Sequence, residues 1–215
     1  MSGMTRLSLL AAILALAGCT STGTTSGPGS STPASARPTG ASEAPTAAAT
    51  SEQAAVPPEK NPPGDIPDNL AFIAYTNTAG RYRFTHPEGW AERTRASTVT
   101  FTDKLNGVHV TTGTATAAPT VATAKQSDVP LLARTQAAFD LRSVSAVSEP
   151  AGAGVRIVYR RNSAPDPVTG RQYRDEVERY ELVSGGREVI MELYGPVGAD
   201  NVDAYRTMIS SLRLR

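Results

Sequence analysis

Apolar and polar residues alternate along much of the chain after residue 70, and this alternation predicts β-strands. Residues 81–86 are the clearest example, because Tyr82, Phe84 and His86 then share one face of a strand. The pair Gly185-Gly186 suits a two-residue hairpin loop between two such runs. The strands predicted in this way cover residues 71–76, 81–86, 98–103, 108–116, 155–161, 172–183 and 187–194.

A helix is predicted close to the C-terminal end of the sequence. Asp200 is placed to cap it, since a carboxylate oxygen can accept a hydrogen bond from the free N–H groups of a first turn. Apolar residues at helical spacing predict which face is inward. These residues are Val202, Tyr205, Ile209 and Leu212.

A second helical region is predicted over residues 120–138. Pro130 lies within it and fits only the first turn of a helix, so the region should form one or two short helices. Leu131 and Leu132 are expected to pack on the sheet. The order of strands, helices, strands and helix predicts an α+β fold class, in which helices pack on an antiparallel β-sheet.

The N-terminal residues follow neither pattern. Arg6 precedes an uncharged, mostly apolar run over residues 7–16. Such a run is too short to cross a bilayer as a helix, and it has the length of the apolar core of a signal peptide.

The run ends in Leu16-Ala17-Gly18-Cys19, which resembles the lipobox of bacterial lipoproteins. The resemblance implies that Leu16, Ala17 and Gly18 are recognised by signal peptidase, that residues 1–18 are removed, and that Cys19 is lipidated. Cys19 is the only cysteine of the 215 residues. Two or three acyl chains on one residue anchor a protein durably in a membrane. The alternative is a secretory signal that merely contains a cysteine.

Residues 19–66 are predicted to be the lipidated cysteine and a disordered tether. Of the 45 residues from 20 to 64, 37 are Ala, Gly, Pro, Ser or Thr, and such a segment has almost nothing to bury. Ala is abundant and 18 of the 21 basic residues are Arg, a bias expected of a high-GC bacterium such as an actinomycete. The remaining domain, residues 67–215, would then lie on the extracytoplasmic face of the cell membrane.

All 12 aromatic residues lie in the last 144 positions, where a core can form.

The charges of the predicted domain exclude one class of partner. The 18 basic and 16 acidic residues after position 66 are interleaved. We therefore expect no nucleic-acid partner.

Residues 82–90 read Tyr-Arg-Phe-Thr-His-Pro-Glu-Gly-Trp and resemble the opening motif of PsbP-like domains. Residues 208–214 are similar to the closing helix and strand of those domains. The superfamily includes photosystem PsbP proteins, a Ran-binding nuclear-import factor and bacterial lipoproteins of the LpqN kind. The resemblance implies an α/β/α sandwich built on an antiparallel sheet. It also implies a structural role for the motif residues Tyr82, Phe84, Pro87, Gly89 and Trp90, with Trp90 folded back onto the core.

Sequence motifs for chemistry are absent. The chain has no phosphate-binding glycine loop, no His-Glu-x-x-His and no Gly-x-Ser-x-Gly. His86 and His109 are the only histidines, and each is expected to be an ordinary hydrogen-bonded residue. The alternative is that one of them acts as a base, or that both form a metal site with Asp103. No cofactor and no metal are predicted.

Charged residues are dense over residues 171–181. We expect a solvated strand face with cross-strand ion pairs there, and a recognition surface is the alternative.

Taken as a sequence, the chain is predicted to be a membrane-anchored extracytoplasmic lipoprotein that acts as a non-enzymatic binding or adaptor module of the cell envelope. Its expected partners are membrane lipid, through acylated Cys19, and an envelope protein or a small lipophilic ligand. The alternative is a cell-envelope hydrolase or a metal-dependent enzyme that uses His86 or His109.

Overall fold

The structure is a computed structural model that describes residues 53–58, 60 and 64–215. Its strands are β1 (Phe72–Asn77), β2 (Tyr82–Pro87), β3 (Ala91–Arg95), β4 (Thr98–Asp103), β5 (Asn106–Thr114), β6 (Asp140–Glu149), β7 (Gly152–Asn162), β8 (Arg174–Ser184), β9 (Arg187–Pro196) and β10 (Arg213–Leu214). Its helices are α1 (Val121–Gln126), α2 (Asp128–Thr135) and α3 (Val202–Ser211).

Two antiparallel sheets organise the described residues. The large sheet has seven strands in the order β3-β4-β5-β9-β8-β7-β6, and the small sheet has three in the order β1-β2-β10. All strand pairs are antiparallel. The α+β fold class with helices packed on an antiparallel sheet is therefore confirmed.

Two hydrophobic clusters lie on opposite faces of the large sheet. On the first face the large sheet packs against the small sheet and α3, through residues such as Phe84, Phe101, Met191 and Ile209. On the second face, Ile157, Val177 and neighbouring residues pack against α1 and α2. We call this second face the helical face of the large sheet. The helices α1 and α2 cover only its β6–β7–β8 side. We call the remaining part, over β9, β5, β4 and β3, the open half.

Several local predictions are confirmed. The strands β8 and β9 form the predicted hairpin around Gly185 and Gly186, and β4 and β5 form another one. Both glycines have positive φ, +57° and +77°, as the tight two-residue turn requires. Residues 121–135 form two short helices, with Pro130 in the first turn of the second.

The resemblance motif lies at the end of β2. Tyr82, Phe84 and Trp90 are buried in the first hydrophobic cluster. Gly89 has a φ of +83°, so the chain reverses there and directs the indole of Trp90 inward. Pro87, the last residue of β2, is buried as well.

Three predicted side-chain placements are wrong. Leu131 is 50% exposed while Leu132 is buried, because consecutive helical residues point about 100° apart and only one of them can face the sheet. Val202 is 59% exposed, although Tyr205, Ile209 and Leu212 are buried as predicted. The N-cap of α3 is Asn201 rather than Asp200, and its side chain makes no capping hydrogen bond.

The residues just before the domain differ from the expected tether. Ile66 is buried in the first cluster, its N–H donates to Asn201 Oδ1 at 2.8 Å, and Asn106 Nδ2 donates to the carbonyl of Gly64 at 2.7 Å. Further back, Val56 N donates to Asn162 Oδ1 at 3.0 Å. Residues 53–58 and 64–66 therefore contact the domain, because its buried amide side chains pair with their backbone.

The other N-terminal predictions concern residues that the structure does not describe. The signal peptide, Leu16, Ala17, Gly18, Cys19 and the tether up to residue 52 all lie outside the described residues. Within the part of the chain that is described, no helix is long and apolar enough to span a membrane.

Candidate functional site

A row of polar side chains crosses the helical face of the large sheet. The strand register places Arg93 opposite Thr100, Thr100 opposite His109, and His109 opposite Glu192. The next strand adds Arg179, which lies opposite Glu192. A central sheet face normally carries apolar side chains, so a polar row at this place requires partners within the protein.

The centre of this row is a charge network formed by Arg179, Glu181, Glu192 and Tyr159. Arg179 bonds Glu181 Oε1 through Nε at 2.5 Å and Glu192 Oε1 through Nη1 at 2.7 Å. The hydroxyl of Tyr159 donates to the same Glu192 oxygen at 3.2 Å. The side chains of Glu181 and Glu192 are only 4% and 12% exposed. Charges with so little exposure need several partners, and here three strands, β7, β8 and β9, supply them.

The pKa values of the network follow from burial and pairing. Burial raises the pKa of Glu181, and Arg179 offsets this only in part. Burial also acts on Glu192, but the guanidinium groups of Arg179 and Arg161 outweigh it and lower its pKa. Burial lowers the pKa of His109, so its imidazole is neutral at pH 7.

A second ion pair, between the half-buried Arg161 and the buried Asp175, lies at one end of the row. Arg161 Nε is 3.7 Å from Asp175 Oδ2, its Nη1 donates to Gln136 Oε1 at 2.9 Å, and its guanidinium lies 5.1 Å from the ring centre of Tyr194. Burial raises the pKa of Asp175 to about 7, although Arg161 opposes this shift. Arg161 is thus held in a fixed position against an aromatic ring.

A pocket of about 670 Å³ opens beside this pair on the open half of the helical face. Thr100 and Thr102 of β4 and Arg93 of β3 form one wall. The opposite wall is made by the loop between β7 and β8, residues 163–173, together with Arg161, Asp175 and Tyr194. This volume lies within the range of small-molecule sites. We call it the loop pocket.

One contact beside the loop pocket is of chemical interest. The Oγ1 of Thr100 lies 2.8 Å from Nδ1 of His109, and Thr100 lines the pocket. A neutral imidazole can accept a hydroxyl proton at this distance. However, β4 is paired on both sides, so ladder hydrogen bonds occupy the backbone N–H groups near Thr100 that could otherwise stabilise an oxyanion.

The other histidine lies on the opposite face of the large sheet. The His86 ring stacks on Phe101 at 3.7 Å between ring centres, and its Nδ1 lies 2.9 Å from the carbonyl of Pro87. Phe101 and Thr100 are consecutive residues of one strand, so they point to opposite faces of the sheet. His86 and His109 therefore cannot share a metal ion, and the metal site considered with Asp103 is wrong. Among the described residues, no group of three His, Cys, Asp or Glu side chains is placed to hold a metal.

Of the expectation for residues 171–181, the cross-strand ion pairs are confirmed, for example Arg156–Glu178 and Arg179–Glu192, but the solvated face is not. Glu181 and Asp175 are 3% exposed, and Arg174 is 6% exposed, so this stretch of β8 is not a solvated face. The reason is that β8 lies between β7 and β9, which provide the counter-charges Arg161 and Glu192. The predicted hairpin at Gly185 and Gly186 places β9 beside β8, but local sequence does not show that β7 lies on the other side of β8.

Comparison with known proteins supplies structural neighbours only. No protein-family model matches the chain, and neither does any curated protein sequence. Among solved structures, the cyanobacterial PsbP (CyanoP) of Synechocystis sp. PCC 6803 aligns over 68% of this chain and 94% of its own, with 15% identity and a TM-score of 0.44.

Two further structures are similar to the same extent. The Ran-binding protein Mog1p of Saccharomyces cerevisiae aligns over 68% of this chain and 96% of its own, with 7% identity and a TM-score of 0.45. LpqN of Mycobacterium tuberculosis, described as involved in cell envelope biogenesis, aligns over 68% and 86%, with 11% identity and a TM-score of 0.39. These three neighbours are a PsbP protein, a Ran-binding protein and an LpqN protein.

Proposed function

We propose that this protein is a lipid-anchored, extracytoplasmic binding module, and that the loop pocket is its binding site. The observation that supports the proposal most directly is the pocket itself: a concavity of about 670 Å³ lined by residues of six strands and one long loop. Binding sites are concave, are formed in advance and are commonly walled by loops on a rigid sheet.

The lining of the loop pocket argues for a polar ligand. Arg93, Thr100 and Asp175 reach it from the sheet, and Leu105, Pro165 and Tyr173 contribute apolar surface. A purely lipophilic ligand would leave the guanidinium and carboxylate groups desolvated without partners, which is unfavourable. Of the partners expected from the sequence, a small ligand with polar groups therefore fits this pocket better than a lipophilic one.

The anchor is the second part of the proposal. It rests on the sequence Leu16-Ala17-Gly18-Cys19 after a short apolar run, and on the 46 positions between Cys19 and Ile66 that separate the anchor from the core. An anchored module of this kind presents its pocket to molecules of the cell envelope. Substitution Cys19→Ala should release the protein from the membrane fraction or leave an unprocessed precursor. Normal processing and unchanged fractionation would contradict the anchor.

The pocket is tested separately, by filling it. Leu105→Trp places a large side chain at the rim, in the two-residue turn between β4 and β5, and should abolish complementation of a deletion strain while the protein still folds and localises. Leu131→Trp is the matched control, because Leu131 is exposed on α2 and does not line the pocket. Full complementation by the Leu105 variant would show that the pocket is not the binding site.

The contact between Thr100 and His109 favours a second candidate, a hydrolase in which His109 takes the proton of the Thr100 hydroxyl. His109→Gln removes this base, and His109 does not line the pocket. The binding module should keep its function in cells with this substitution. Loss of function in a His109→Gln variant that still folds and localises would favour the hydrolase instead.

A further inference from the structure

We propose that the loop pocket binds an organic anion, a phosphate or carboxylate group carried on an apolar or aromatic body. This inference deepens the proposed function, on which it rests, by naming the chemical class of the ligand. It depends on which charges of the pocket lining already have partners and which do not.

Each acidic group of the lining already has partners within the protein. The Oδ1 of Asp166 accepts hydrogen bonds from Val168 N at 3.0 Å and from Thr169 N and Oγ1 at 2.7 and 2.9 Å, so it is turned into its own loop. Glu92 accepts from Thr94 Oγ1 at 2.7 Å and, being opposite Phe101, lies on the other face of β3.

The third carboxylate, Asp175, is paired with Arg161 in the wall of the pocket. Burial raises the pKa of Asp175 to about 7, so part of this group is neutral at neutral pH. The positive charge of Arg161 is then less completely balanced.

Two of the four basic groups of the lining, Arg93 and Lys104, are less engaged. Arg93 projects onto the helical face beside Thr100, and Lys104 occupies the turn between β4 and β5. Neither side chain forms an ion pair or hydrogen bond with another residue that the structure describes, and both are exposed. Arg161 lies across the pocket from them. The potential inside a low-dielectric cleft with this arrangement is positive, which attracts anions.

The loop pocket also has apolar surface, which the organic part of the ligand can contact. Tyr194 and Tyr173 present aromatic rings, with Arg161 and Arg171 stacked on them at 5.1 and 5.0 Å from the ring centres. Leu105, Pro165 and Pro167 add aliphatic surface. An inorganic ion would leave this surface unused, whereas a ring or short chain attached to the anion would cover it.

The test uses the full chain in a neutral detergent, titrated with phenyl phosphate, benzoate, inorganic phosphate and benzyl alcohol, with binding followed by calorimetry. Phenyl phosphate or benzoate should bind more tightly than both inorganic phosphate and the neutral alcohol. The tighter of the two organic anions identifies the preferred head group. Equal binding of benzyl alcohol, or no binding of either organic anion at millimolar concentration, would overturn the proposal.

Two double variants test whether the anion binds in the loop pocket. The double substitution R93Q/K104Q should weaken binding of the preferred anion about tenfold, which corresponds to about 1.4 kcal/mol. The matched control K125Q/R134Q removes the same charge from exposed positions on α1 and α2, outside the pocket, and should change nothing. An equal loss of affinity in both double variants would show that binding depends only on the overall charge of the protein, and it would overturn the proposed site. If Leu105→Trp abolishes function in cells but no anion binds, the binding module stands and the ligand class is wrong.

Discussion

Trp90 is the residue whose contribution to stability can be measured most directly. Its indole is 7% exposed and packs in the first hydrophobic cluster, beside the small sheet. Trp90→Ala should therefore lower the free energy of unfolding by about 3–5 kcal/mol, because it removes a large buried side chain and leaves a cavity. Urea denaturation monitored by circular dichroism measures this, with Trp90→Phe as a milder control. An emission maximum typical of a solvent-exposed tryptophan in the folded protein would contradict the placement.

Asp175 predicts a pH dependence of stability. Its pKa is about 7 in the folded protein and about 3.8 when the chain is unfolded, so folding takes up a proton between these values. Its contribution to stability is therefore complete below pH 3.8 and is lost as pH rises towards 7, by at most about 1.4 kcal/mol per pH unit. The Asp175→Asn variant has no carboxyl group at this position and therefore cannot take up this proton.

The measurement is the difference in unfolding free energy between wild type and Asp175→Asn, followed from pH 8 to pH 5. The wild type should gain stability relative to the variant as the pH falls. Both proteins share His109 and Glu192, whose pKa values are lowered and whose contributions act in the opposite direction, so these largely cancel in the difference. A difference that does not vary with pH would show that Asp175 is ionised throughout.

At the scale of single residues, the sequence predicts the burial of apolar side chains better than that of charged ones. Periodicity identifies Tyr82, Phe84 and Ile209 as buried, and they are. It does not anticipate that Glu181 is buried and Arg179 only 18% exposed, because this depends on side chains of both neighbouring strands, Glu192 of β9 and Tyr159 of β7. The candidate site consists largely of such residues, so its position was not predictable from local pattern.

Among the elements, β7 has a position where only glycine fits. Gly154 lies directly opposite Leu182 of β8, and a Cβ atom there would overlap the backbone carbonyl of Glu181. Gly154→Ala should therefore destabilise the protein by about 1–3 kcal/mol or more, since a paired backbone cannot move aside. Thermal unfolding measures the change. In Gly113→Ala, the control on β5, the new Cβ meets only the carboxylate end of Glu188 at 3.3 Å, and the cost should be small. Similar stability of the two variants would contradict this reading of the β7–β8 pairing.

The strands that the sequence did not predict are the two edges of the large sheet. All five residues of β3 are exposed, so the apolar alternation that marks a strand is missing. In β6 most side chains are Ser, Ala or Val, and none of its residues is buried. An edge strand has one neighbour and little core to contact, which weakens the pattern. The central strands have strong alternation and were predicted.

At the scale of the whole molecule, the boundary of the folded part can be tested by shortening the chain. A chain that starts at Gly64 keeps Ile66 in the core and keeps the bonds of Asn106 and Asn201 to residues 64–66. A chain that starts at Pro67 loses both, and should be less stable by about 2–4 kcal/mol. Chemical denaturation of the two shortened chains measures the difference. Equal midpoints would mean that residues 64–66 add nothing and that the domain begins at 67, as the sequence predicts.

The attachment of residues 53–56 to the β7–β8 region has a mechanical consequence. Gln53 bonds Gln172 at 2.6 Å, and the amide of Asn162 pairs with Ala54 O and Val56 N. With the chain anchored at Cys19, as proposed, a pulling force enters the folded part here and breaks these bonds one after another. About 35–40 Å of chain is then released before the force reaches Gly64 and the core behind it. Movement of the envelope relative to the membrane would first lengthen the connection and only later strain the fold.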